Sequence, residues 1–339
     1  MHMADALVTP AVGTAMYAVS SVAALYSVKK IKLEDDPKKI PVMGVMGAFV
    51  FASQMFNFTI PGTGSSGHLC GGMMLTALLG PYEAFLTMIA ILLIQCLMFA
   101  DGGLLALGCN IWNMAFYGCF LGYFLIWKPM MKKKMSKNRI VIASILGCVL
   151  TLQFGAFSVT LETLLSGVTA LPFSLFVGTM QPIHLAIGFV EGLITAAVLL
   201  FVYICRPELL ECYEREEESS KYSFRKILVV LSLCVLIIGG GLSLLASNNP
   251  DGLEWSMERL TGDTELEEKS SAGIWLEKVQ EKTAIFPDYS FKKSDYVMGT
   301  SVSGIAGSVL VVILCIGGCY IFKLFHKKTK KKHTDITSV

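Results

Sequence analysis

The chain has 339 residues, 54% of them apolar and only 16% charged, with a formal net charge of +2. Soluble domains carry nearer a quarter charged residues, and here the apolar residues are concentrated, since residues 40–127 and 140–205 contain no Lys or Arg. The composition therefore excludes a soluble globular protein. The absence of G-x-x-x-x-G-K-[ST], H-E-x-x-H and G-x-S-x-G patterns argues against a phosphate loop, a zinc-protease helix and a hydrolase nucleophile elbow.

Apolar runs of about 18–20 residues are what a spanning helix requires. They predict an all-α integral membrane protein, a polytopic helical bundle with nine spans at approximately 9–28, 41–58, 68–80, 82–99, 103–127, 140–157, 181–204, 227–246 and 299–322. The opening MHMADALVTP has no basic n-region and carries an acid at position 5, so no cleavable signal is expected and Met1 should stay on the mature chain. Basic clusters lie between the spans: Lys29, Lys30, Lys32, Lys38 and Lys39; Lys128, Lys132, Lys133, Lys134, Lys137 and Arg139; Arg206, Arg215, Lys221, Arg225 and Lys226; and a tail from Lys323 to Lys332. Positive-inside logic puts all four in the cytoplasm. The first cluster follows a single span, which places the N-terminus outside the cell membrane, and the even number of spans between successive clusters returns the chain each time to the cytoplasm, where the C-terminus lies.

The third span, His68 to Gly80, has about 13 residues, roughly 20 Å of helix against a bilayer core of about 30 Å. The Gly-rich stretch Ile60-Pro-Gly-Thr-Gly-Ser-Ser-Gly67 before it is expected to be re-entrant. Backbone of that kind is tolerated at membrane depth only inside protein or beside a polar cavity. Residues 1–205 form the first predicted domain, with seven spans, and 206–226 is a charged cytoplasmic linker. Residues 227–322 are two spans around an extracytoplasmic segment, 247–298, and 323–339 is a basic cytoplasmic tail. Asn249-Pro-Asp-Gly252 is turn chemistry.

Five histidines are present; His326 and His333 belong to the basic tail. At His2, a free Met1 amine, the His2 amide nitrogen and His2 Nδ1 can close adjacent five- and six-membered rings on one metal, a planar nitrogen set suited to Ni²⁺ or Cu²⁺ and available to Co²⁺. His68 is the candidate fourth donor, although a histidine beside glycines can equally bond a loop carbonyl, and the position of His2 can be incidental. Polar residues inside spans are costly and usually have a task. Asp101, Asn110 and Asn113 are therefore candidates for the cavity or for supporting the ligands. His184, Gly188, Glu191 and Thr195 fall on one helical stripe, where interhelical hydrogen bonding is the preferred reading over ligation. The ten cysteines, without C-x-x-C pairs, are expected as small core residues.

The initial Met-His, P-G-T-G-S-S-G-H at 61–68, F-A-D-G-G-L-L-A-L-G-C-N-I-W-N-M at 99–114 and H-L-A-I-G-F-V-E-G-L-I-T at 184–195 resemble the CbiM/NikM family, the metal-binding membrane components of cobalt and nickel energy-coupling-factor (ECF) transporters. The segment 227–322, with Pro250-Asp-Gly-Leu-Glu254, resembles the PDGLE (CbiN/NikN-like) small component, here fused behind it. The resemblance implies uptake of Co²⁺ or Ni²⁺ as transported substrate, with no cofactor. It implies a metal site of Met1, His2 and His68, and a separate transmembrane coupling subunit and ATPase subunits as partners, in membrane lipid and without nucleic acid. Ala6 stands where many relatives have Gly. An intramembrane metalloenzyme built on His184 and Glu191, or a component binding an organic micronutrient, are the alternatives.

Overall fold

The structure, a computed structural model, describes residues 1–31, 37–132, 134–214, 222–292 and 298–337. Lys32, Lys133, Arg215 and Lys221 of the basic clusters, part of the 206–226 linker, and the tail side chains with His326 and His333 lie outside the described residues.

Every predicted apolar segment contains a helix. In chain order these are α1 (Pro10–Lys30), α2 (Lys39–Gln54), α3 (Gly72–Leu79), α4 (Pro81–Ile94, continued by a π turn, Gln95–Phe99), α5 (Leu107–Met131), α6 (Lys137–Leu165) and α7 (Phe173–Cys205). After the linker come α8 (Phe224–Gly240), two amphipathic helices α9 (Gly252–Thr261) and α10 (Ser271–Thr283), and α11 (Met298–Thr337). Among the described residues seven helices are long and apolar enough to cross a membrane. The two predicted spans outside that set are α2, with 16 residues, and α3, with 8, so length alone does not carry the predicted count of nine.

Local chemistry accounts for the helix starts. Pro10 and Pro81 open their helices, where the missing N–H costs nothing. Ser136, Ser223 and Ser270 cap α6, α8 and α10 through their hydroxyls, each satisfying an otherwise orphaned N–H. Along α6, Leu146, Leu150, Phe154, Phe157 and Leu161 are exposed at helical spacing while Ala143, Gly147 and Cys148 are buried. An apolar stripe turned outward is the surface that lipid covers. The Gly188-x-x-x-Gly192 pair does what its spacing predicts: a Cβ would stand 3.0 Å from Val149 Cα at Gly188 and 2.6 Å from Ile145 Cα at Gly192, so α7 lies directly on α6.

The Gly-rich stretch is more regular than expected. It folds as an antiparallel hairpin of β1 (Phe58–Ile60) and β2 (Ser65–Gly67), with Phe58 opposite Gly67, which satisfies its backbone without helix. Eight of the ten cysteines are buried, as expected of core residues, and Cys212 and Cys234 are half-buried.

The C-terminal unit packs α8 and α11 onto α2 and lays α9 and α10 across the end of the bundle that holds Met1. Asn57 O accepts from Ser247 N at 2.8 Å, Trp255 Nε1 donates to Thr63 O at 3.0 Å, and Gln280 Nε2 donates to Gly102 O at 2.7 Å. At the opposite end Lys39 Nζ donates to Leu79 O at 2.9 Å and to Glu211 Oε1 at 2.6 Å.

Helices α8 and α11 touch backbone to backbone, since a Cβ on Gly304 would fall 2.2 Å from Gly239 O. Gly304→Val should therefore overpack this contact and destabilise by about 1–3 kcal/mol. Thermal unfolding in detergent reads the loss, and limited proteolysis should show α11 released before the rest of the bundle.

Candidate metal centre

The site begins at the first atom of the chain. Met1 is buried, its amine donating to Asp251 Oδ2 at 2.5 Å and standing 3.2 Å from His68 Nε2. The His2 ring stacks on that of His68, with centroids 5.3 Å apart and 22° between planes. Met1, His2 and His68 are therefore neighbours, across 67 residues of sequence.

The N-terminal segment is held like a strand edge. Met3 N donates to Asn110 Oδ1 at 2.7 Å, Asn110 Nδ2 returns a bond to Met3 O at 3.1 Å, and Gly103 N donates to the same carbonyl at 2.8 Å. Asn113 reaches Met3 Sδ at 3.5 Å and donates to the buried Glu162 Oε2 at 2.7 Å. Asp5 Oδ1 accepts from Ala106 N at 3.0 Å. The 99–114 motif is thus a dock for residues 1–5, and Asn110 and Asn113 support the site without facing it.

His68 is fixed from its other side. Its Nδ1–H donates to Leu69 O at 3.0 Å, which leaves a lone pair on Nε2 toward the Met1 amine. The next two residues are gripped by Glu191, whose Oε2 and Oε1 accept from Cys70 N at 3.0 Å and Gly71 N at 2.9 Å. Gly71 has φ +86°, and a Cβ there would lie 2.3 Å from Val50 Cγ1, so glycine alone fits. Glu191 thus fixes the backbone that follows His68.

His2 offers its ring nitrogens to two oxygens, Nε2 to Gln95 Oε1 at 3.2 Å and Nδ1 to Asp101 Oδ1 at 3.1 Å. Burial holds this imidazole below its ordinary value, with Asp101 acting in the opposite direction. A neutral ring has one N–H for the two oxygens, and with it on Nε2, Nδ1 keeps the lone pair that a chelate uses. Asp101 is itself hydrogen-bonded by the Tyr289 hydroxyl.

His184 donates from Nδ1 to Met180 O at 2.8 Å, an intrahelical bond rather than the interhelical one expected. Its ring faces Gly252, where a Cβ would come within 2.9 Å of Cε1. His184, Met1, His68, Cys70, Met114 and Asp251 border an inner cavity of about 10 Å³, the room of one water-sized sphere.

Asp251 was not nominated by the sequence. It caps α9: Oδ1 accepts from Leu253 N at 2.7 Å and Glu254 N at 2.9 Å, and Glu254 Oε2 accepts from Asp251 N at 3.0 Å, a complete capping box. Its other oxygen takes the Met1 ammonium. Burial would raise the pKa of this carboxyl, but the ammonium and His68 outweigh burial and hold it well below the usual range. The turn signal at 249–252 was visible; a partner 250 residues away leaves no periodic trace.

Among the described residues no three His, Cys, Asp or Glu side chains gather as a metal-holding group. The donors that do converge include backbone nitrogen.

Comparison with known proteins places the chain among metal transport proteins. Residues 2–209 match the CbiM family, described as the cobalt uptake substrate-specific transmembrane region, and residues 225–324 match the PDGLE domain. Two relatives named as fused nickel transport proteins align along nearly their whole length. NikMN of Archaeoglobus fulgidus is 31% identical over 93% of this chain and 96% of its own, and LarMN of Lactiplantibacillus plantarum is 30% identical over 94% and 97%. The crystal structure of a truncated transition metal transporter is 31% identical, with a TM-score of 0.52, covering 60% of this chain and 98% of its own.

Replacing Glu191 by Leu should strand the Cys70 and Gly71 N–H groups, at about 1–3 kcal/mol each, and loosen His68. We expect a lowered thermal midpoint together with weakened metal affinity. Retained affinity in a destabilised but folded variant would show that Glu191 does not position His68.

Proposed function

The chain belongs to the CbiM family, with a PDGLE domain behind it, and on that premise we propose that it is the capture and translocation component for a divalent transition metal ion, cobalt or nickel, in an energy-coupling-factor transporter. Its relatives are named as metal transport proteins and not as enzymes. The metal is substrate, held by the Met1 amine, the His2 amide nitrogen, His2 Nδ1 and His68 Nε2.

The observation that carries this reading is the 3.2 Å between the Met1 amine and His68 Nε2. Metal–nitrogen bonds of about 2 Å put neighbouring donors of a square plane about 2.9 Å apart, so these two atoms need to close by only a few tenths of an ångström. Both His2 donors lie on the same short segment as the amine, and Asp101 must yield Nδ1 for the chelate to close. Once the amine gives its lone pair to the metal, Asp251 loses its ammonium partner. A divalent ion less the His2 amide proton leaves one positive charge in the site, which Asp251 then balances. Asp101 and Gln95 orient His2, and Asn110, Asn113 and Glu191 fix the segments that carry the donors.

We place the N-terminus and segment 247–298 outside the cell membrane and the C-terminal tail in the cytoplasm, on the distribution of basic residues. The domains are 1–205 and 227–322. A coupling subunit and ATPase subunits supply the energy.

The chelate makes a direct prediction. His68→Ala should remain folded and lose high-affinity Ni²⁺ or Co²⁺ binding in a metal titration of purified protein. One residue added before Met1 should do the same, because it moves the amine out of the five-membered ring. Binding displaces protons from amine and amide, so affinity rises with pH, by about tenfold per unit for each proton released. A site made by side chains alone would survive the extension.

Uptake should also depend on partners. In vesicles carrying this chain alone, metal should not accumulate against its gradient, whereas co-expression with a coupling subunit and its ATPases should permit accumulation that stops on ATP depletion.

A further inference from the structure

Above the inner cavity lies a much larger space. An open chamber of about 1180 Å³ reaches down to His2, His68 and Asp251. Its walls come from both units, with Asp5 and Asp101 from the first and Glu254, Glu265, Glu268 and Glu277 among those from the second. Ten carboxyl groups line it; Asp251 is paired with the Met1 ammonium behind the wall, and the other nine face the single lining ammonium of Lys292, among the described residues. Interspersed signs are the rule on a solvated surface, so this imbalance calls for a counter-charge.

Two further observations point to a cation. Asp5 lines the chamber, is 7% exposed, and its Oδ2 has no hydrogen-bond partner among the described residues. A buried carboxylate oxygen is not left unpaired without cost, and burial pushes this carboxyl up to about 6 against the lowering effect of the Ala106 and Leu105 backbone donors, with Glu268 and Glu277 adding to the rise. Size separates the two spaces. On the scale where about 10–15 Å³ holds one water, the inner cavity, at about 10 Å³, takes a single water-sized sphere and so a bare ion, while the chamber, at about 1180 Å³, takes an ion with its six waters. His68 and Asp251 line both spaces and form the threshold between them.

We propose that this acidic chamber is an outer capture site, holding a hydrated divalent cation by contacts through its water shell until it sheds water at the His68–Asp251 threshold. The walls act as a field that raises local cation concentration, and the nitrogen donors below them provide the tight binding. The proposal rests on the metal-capture reading above, but it concerns rate rather than ligation.

The test uses the full-length protein with a free N-terminus in nanodiscs. Glu265, Glu267, Glu277 and Glu281 line the chamber, are exposed, and hold no place among the ligands, so the quadruple Glu→Gln variant should fold. At low salt its association rate with Ni²⁺ should fall at least tenfold, within the range of about 10–1000-fold known for steering, with the dissociation rate unchanged within twofold. Near 1 M salt, where the screening length is about 3 Å, the wild-type rate should drop to that of the variant. Hexaamminecobalt(III), whose ligands do not exchange, probes the chamber alone. It should bind the wild type and the His68→Ala protein equally, and bind the quadruple variant at least tenfold more weakly. An association rate within twofold of wild type, or undiminished hexaamminecobalt binding, overturns the proposal. Failure of the chelate reading looks different: Ni²⁺ binding would survive the N-terminal extension while the rate effect of the Gln variant remained.

Discussion

The ammonium of Met1 and the carboxylate of Asp251, 2.5 Å apart and shielded from solvent, join the first residue of the chain to the unit that follows the linker. A buried pair of charges repays its desolvation only when the remaining valences are also satisfied. Here they are, because the second oxygen of Asp251 is occupied by the first turn of α9 and the amine also faces His68. The cap of one helix and the seat of the N-terminus are thereby a single arrangement. Removing either partner leaves the other as an uncompensated charge, a cost of about 3–5 kcal/mol in comparable settings. Residues 1–5 have no regular structure beyond a single 3₁₀ turn, and depend on this pair and on Asn110 for their position.

Much of this architecture is legible in the sequence, for physical reasons. Lipid demands long apolar runs, so the seven long helices announce themselves. The stripe His184, Gly188, Glu191, Thr195 is buried throughout, because helical periodicity is enforced by which face meets the protein. Chelate chemistry and motif nominate Met1, His2 and His68, and the fold makes them neighbours. What was illegible is tertiary pairing. Asp251 reads as a turn residue, and that is half of its task; Gln54 and Gln95 draw no reading from the sequence, yet Gln95 Nε2 donates to Gln54 Oε1 at 2.9 Å and links His2 to Cys70 O. The π-helical stretch Ile111–Trp127 within α5 was equally hidden, since its apolar content is that of any spanning helix. The acidic residues of 254–288 are scattered along the chain and become a chamber only when α9 and α10 fold back over the bundle.

The shortest helix has a mechanical consequence. All eight residues of α3 are buried. At its start Glu191 grips Cys70 and Gly71, and at its end Lys39 holds Leu79 O beside Glu211. A helix of that length is a strut of about 12 Å, too short to bend and clamped at both joints. The Lys39–Glu211 joint and the backbone that follows His68 are separated by this one helix. The two ends of the bundle are thus joined along this line by one short buried helix with a polar clamp at each end.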